Sequence, residues 1–136
     1  MFNFEKLDTW HAAITFANPV YRITRHFPDE ERFGLTNQMR RAAVSISSNI
    51  AEGSPRSSRP DYIRFLEIAT GSLFEVVSQA TIGRNQGFFS QSEYDELYQA
   101  AEKQSRMLSG LRNSLERPWP STLNFQLSTK SSASRI

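Results

Sequence analysis

The chain has 136 residues, 38% of them hydrophobic and 22% charged, with 16 basic side chains against 14 acidic ones. That length fits one domain with its own core; the lack of cysteine excludes disulfides and thiolate metal sites; a net charge of +2 does not by itself point to nucleic acid. No apolar run approaches the roughly 18 residues of a membrane span, and the N-terminus carries acidic residues but no apolar signal region, so a cytoplasmic protein with no membrane contact is expected.

A first helix is expected over roughly Phe4 to His26, with Asn3 able to cap its start. Leu7, Trp10, Ile14, Ala17, Tyr21 and Thr24 recur at alternating spacings of three and four, which makes one helical stripe. A second set, Phe16, Val20, Ile23 and Phe27, broadens the apolar face as a bundle helix requires. Pro19 removes a backbone bond and should meet the carbonyl of Thr15, so a kink is expected there. The stripe stays in phase beyond it, which argues for one helix.

After the connector Phe27 to Glu31, a second helix is expected over about Leu35 to Glu52. Leu35, Met39, Ala42, Ile46 and Ile50 turn inward, while Arg41, Ser45, Ser48 or Asn49, and Glu52 form a polar stripe at the same spacing. Gly53 is expected to provide a left-handed cap, and Pro55 cannot continue the helix. The loop Arg56 to Asp61 is short and basic, and Ser58 with Asp61 resembles a capping box.

The third helix, about Arg59 to Gly83, carries Tyr62, Phe65, Leu66, Ala69, Leu73, Val76, Val77 and Ala80. Asn85-Gln86-Gly87 breaks it, and Ser90 with Glu93 makes a regular capping box for the fourth. That helix runs to about Glu116 on Leu97, Ala101, Leu108, Leu111 and Leu115. Four helices with short connections give an all-α, antiparallel up-down-up-down four-helix bundle over residues 1–116. Residues 117–136, with two prolines and a serine-rich end, read as an irregular extension. Trp119, Leu123, Phe125 and Leu127 are candidates to dock it on the bundle or on a neighbouring subunit.

The chemistry for catalysis is missing. The two histidines lie 15 residues apart on the first helix, roughly 22 Å along its axis, too far to share a metal. No glutamate stands three before a histidine, and no glycine loop has phosphate-binding spacing. No metal, no cofactor and no catalytic residue is expected, and the chain reads as not an enzyme. The arginines are the distinctive feature, because 13 of the 16 basic residues are arginine, a side chain that pairs bidentately with carboxylate or phosphate. Interhelical salt bridges and phosphate binding are both open readings. Arg40 and Arg41 diverge by about 100° around a helix; one is expected to face Glu67 or Glu75 of the third helix, and the other to face out. Asn49, Glu52, Glu67 and Glu75 are the candidates for an internal polar network. Small residues on the second helix, with Gly71 and Ser72 on the third, permit close approach. Phe88, Phe89 and Trp119 add apolar surface that favours an oligomer.

The blocks NFEKLDTW, ERFGLTNQMRRAAVSISSNIAEGSPR, FLEIATGSLFE and SRMLSGLRNSL resemble the four-helix-bundle family associated with intervening sequences of bacterial 23S ribosomal RNA genes. The resemblance covers about residues 3 to 116. It implies a ring-like homopentamer and a relationship to the accessory protein of diversity-generating retroelements, a basic pentameric bundle that binds nucleic acid and a reverse transcriptase. It brings no catalytic residues. Carried onto this chain, it makes Arg40, Arg41, Arg56 and Arg59 the candidate RNA- or DNA-binding positions, with Arg25 beside them. The expected function is therefore a non-catalytic, oligomeric nucleic-acid-binding protein. The alternative is an oligomeric scaffold that docks a protein partner and uses its arginines structurally.

Overall fold

The computed structural model describes residues 1–116; the expectations for Trp119, Leu123, Phe125 and Leu127 lie outside them. Four helices account for most of this length: α1 (Asp8–Thr24), α2 (Leu35–Gly53), α3 (Arg59–Asn85) and α4 (Gln91–Glu116). Each packs on its neighbours in sequence, and α1 closes the bundle against α4. The architecture is the antiparallel four-helix bundle that the apolar periodicity requires. No strand occurs among the described residues, and no helix there is long and apolar enough to cross a membrane.

Local chemistry sets each boundary. The expected first helix splits, because Leu7 takes an extended conformation (φ −88°, ψ 121°) between a 3-10 turn at Asn3–Lys6 and α1. That bend folds Phe4 back onto Trp10, with ring centroids 5.0 Å apart and edge-on, so Asn3 opens the turn and does not cap α1. Through Pro19 the helix runs on as a single element. Ser58 Oγ accepts the Asp61 N–H at 3.2 Å to start α3. Before α4, Ser90 and Glu93 exchange both capping bonds, at 3.1 and 3.2 Å. Gly87, at φ +79°, makes the turn between α3 and α4.

Gly53 plays a different part from the cap expected of it. It stays right-handed within α2, and a Cβ there would lie 2.8 Å from Phe65 Cβ and 3.2 Å from Tyr62 Cδ1. Its missing side chain is what lets α2 and α3 close at this end. At the other end of the bundle Gly83 does the same for Phe27 and Phe89. Phe88 and Phe89 pack around Phe27, with ring centroids at 5.3 Å (tilted) and 5.8 Å (stacked). They plug the bundle's end and do not leave the uncovered apolar surface expected of them.

The core is Ala13, Phe16, Val20 and Ile23 of α1, Met39, Ala42, Ala43, Ile46 and Ile50 of α2, and their partners on α3 and α4, led by Leu66, Leu73, Leu97 and Leu108. On α1 the second apolar set is thus the buried one. Ile14 and Tyr21 from the first stripe are exposed, because contact with α2 and α4 rotates the helix toward Phe16, Val20 and Ile23. Gln104 is fully buried on α4, where its amide donates to the Thr9 carbonyl at 3.2 Å.

Candidate nucleic-acid interface

The bundle sorts the arginines into three places. Arg40 and the end of α2 at Gly53 are roughly 20 Å apart at about 1.5 Å per residue, and Arg56 lies beyond that end, so the sequence-predicted positions do not form one patch.

At the corner between α2 and α3, Arg56 and Arg64 both reach over the Phe65 ring, with guanidinium carbons 4.8 and 4.6 Å from its centroid. Asp61 lies between them, 3.8 Å from Arg56 and 3.0 Å from Arg64. The Arg56 Nε–H also donates to the Glu52 carbonyl at 3.1 Å. Arg59 begins α3 at the same turn and is exposed. Two guanidinium groups therefore gather around one carboxylate and one ring, with Arg59 on the same turn. Contacts to an aromatic face leave donors available, and Arg56 and Arg64 remain 45% and 59% exposed.

Arg40 is the inward-turned member of the double arginine, although not toward the carboxylates expected. Its Nε–H donates to Thr24 Oγ1 at 2.9 Å, one terminal N–H reaches the Tyr21 carbonyl at 3.4 Å, and the group lies 4.8 Å from the Tyr21 ring centroid. Thr24 Oγ1 in turn donates to the Val20 carbonyl at 2.7 Å. This is a clamp between α1 and α2 built from neutral acceptors and a ring. Arg25 stands beside it, exposed, at the end of α1.

Arg41 points the other way, into a shallow cleft of about 440 Å³ between α2 and α3 that Glu75 also lines. The cleft has three levels. Gln38 and Gln79 join across it at 3.4 Å, and Ser45 and Ser72 at 2.9 Å. Arg41 and Glu75 form the level between them and make no ion pair within 4 Å.

The acids expected to act as a network do not act as one. Glu67 pairs with Arg112 of α4 at 3.5 Å, and Arg112 also holds Glu116 at 3.3 Å. Glu52 is exposed. Asn49 does join a polar chain, donating to the carbonyl and hydroxyl of Ser45 at 2.8 and 3.0 Å, and so reaches Ser72. Sequence reasoning missed Arg64, Phe65 and Asp61 as a unit. Asp61 and Arg64 at a spacing of three, with an aromatic residue next, was the available signal. It also missed Tyr21 and Thr24 as the partners of Arg40; their contact joins two helices and leaves no local pattern.

The family model described as the 23S rRNA-intervening sequence protein matches residues 5–110, most of the bundle. The chain belongs to this family. Among solved structures it is similar to a protein of unknown function from the S23 ribosomal protein family of Bacteroides thetaiotaomicron VPI-5482. The identity is 20% over 76% of this chain and 97% of that one, with a TM-score of 0.70, which is a likeness of fold. No curated protein matches the chain. The matched residues include the half-buried Arg40 and the close approach of α2 and α3 at Gly53.

Proposed function

We propose that this chain is a non-catalytic, oligomeric nucleic-acid-binding protein that meets RNA or DNA phosphates through the arginine corner between α2 and α3. The observation that carries the reading is the gathering of Arg56 and Arg64 around the single acid Asp61 and the ring of Phe65, with Arg59 exposed at the same turn. Guanidinium groups fixed in place before binding lose less side-chain entropy on meeting a phosphate. A net charge of +2 per chain suits a module that gains affinity by repetition, since linked copies raise avidity with no new contact type. The outer face of α3 supports assembly: Ile68, Phe74 and Ile82 are 42%, 60% and 51% exposed, and Gly71 between them has open space above it.

The test is a titration of the purified chain against structured RNA and duplex DNA across a salt series, with the particle mass measured in parallel. Affinity should fall by roughly 0.7 to 0.9 log units per phosphate contact for each tenfold rise in salt. Replacing Arg56, Arg59 and Arg64 together by alanine should weaken binding and flatten that slope. No binding at low salt overturns the reading. The second reading, a scaffold for a protein partner, draws on the same exposed face of α3; it predicts an intact assembly with no salt-dependent affinity for either nucleic acid.

A further inference from the structure

The middle level of the α2/α3 cleft is complementary but open. Residues 38, 41 and 45 of α2 face 79, 75 and 72 of α3 in antiparallel register. The outer levels close by hydrogen bonds of 3.4 and 2.9 Å, whereas the guanidinium of Arg41 and the carboxylate of Glu75 face the same 440 Å³ space without meeting. Both side chains are exposed. One level away, Gln79 Oε1 is a buried acceptor that receives no donor. The volume falls in the roughly 300–1,000 Å³ range of small-ligand sites.

We infer that this cleft is a site for one unpaired guanine. The inference rests on the nucleic-acid reading above and deepens it by assigning a base-recognition element. A guanidinium offers a fork of donors, and guanine O6 and N7 are the acceptor pair that arginine reads bidentately. A carboxylate accepts two parallel N–H groups, and guanine alone among the four bases sets two donors side by side, at N1 and N2. A single guanine therefore bridges the open level, with O6 and N7 toward Arg41 and N1–H and N2–H toward Glu75. In a duplex the N1 and N2 edge is consumed by pairing, so the site takes a splayed-out base from a loop or a single strand. The phosphate-binding corner lies on the same two helices, roughly 20 Å away at about 1.5 Å per residue, within reach of a few nucleotides of the same strand.

The experiment uses the full chain and short uridine oligonucleotides carrying one central guanine, inosine or adenine, with binding followed by fluorescence anisotropy. Inosine lacks only the N2 amine. The guanine oligomer should bind about tenfold or more tightly than the adenine one, with inosine between, in keeping with the discrimination of a bidentate pair. Glu75→Gln should abolish this preference while leaving the salt-dependent affinity for structured RNA in place. Arg41→Lys, which keeps the charge and loses the fork, should weaken it. Because Glu75 is exposed, the variant should melt with the parent; if it does not, Arg41→Lys carries the test. Equal binding of the three oligomers, or a preference that survives both variants, overturns the guanine site and leaves the nucleic-acid reading standing. A Glu75→Gln variant that changes only the particle mass overturns it as well, since Arg41 and Glu75 would then pair between copies. Absence of any RNA binding removes both.

Discussion

Gly53→Ala isolates the contact that shapes the arginine corner. In a helix interior an alanine is ordinarily better than a glycine by about 0.5–1 kcal/mol, because the unfolded chain loses freedom. Here the added methyl lands 2.8 Å from Phe65 Cβ and 3.2 Å from Tyr62 Cδ1. The first is an atom fixed to the α3 backbone, so relief requires the helices to part. Overpacking of this kind costs about 1–3 kcal/mol, which exceeds the helical gain and leaves a net loss of about 1–2 kcal/mol. For a domain of this size that lowers the melting temperature by about 3–8 °C. Gly110→Ala is the matched control: Gly110 lies inside α4 with nothing within 4 Å of its virtual Cβ, so the same substitution should raise stability by about 0.5–1 kcal/mol. Thermal and urea unfolding of both variants at one chain concentration provides the assay, since the proposed assembly would make melting concentration-dependent. Because Phe65 carries Arg56 and Arg64, Gly53→Ala should also weaken the RNA binding proposed for that corner. If Gly53→Ala is as stable as the parent while Gly110→Ala is more stable, the close-approach argument is wrong.

Two further outcomes are expected. Arg40→Ala should cost about 1–2 kcal/mol, from a lost hydrogen bond that leaves Thr24 with one acceptor site unfilled and a lost ring contact, whereas Arg41→Ala should stay within about 0.5 kcal/mol; urea midpoints that reverse this order would refute the assignment of the inward arginine. Burial raises the Tyr62 phenol above its ordinary 10.0, so the folded state holds that proton more tightly than the unfolded chain does. Its stabilising contribution is therefore complete below pH 10.0 and is lost as pH rises through the folded value. Tyr62→Phe should accordingly lose less stability than the parent between pH 8 and about pH 10.5, and a parallel decline of the two would count against it.

The sequence was most legible where one residue decides a local geometry. Ser58, Ser90 and Glu93 cap helices by bonds to neighbours three residues away, and the inward faces of α2 and α3 follow from the spacing of Met39, Ile46, Ile50, Leu66 and Leu73. It was least legible where the outcome depends on a second helix. Two apolar stripes run along α1, and only its packing against α2 and α4 decides that Phe16, Val20 and Ile23 are the buried ones while Ile14 and Tyr21 face out. Gly53 carries a helix-end signature, glycine followed two residues later by proline, yet what requires it is the Cβ of Phe65 across the interface. The same limit governs the arginines. A carboxylate at helical spacing looks like the natural partner for a buried guanidinium, but desolvating two charges for one pair often returns little. Arg40 instead meets a hydroxyl, a carbonyl and a ring, which engage its donors with only one charge half-buried. That choice leaves Glu75 without an internal partner and Arg41 facing it across an open cleft. The polar residues best placed to act on another molecule are thus the ones the core does not need.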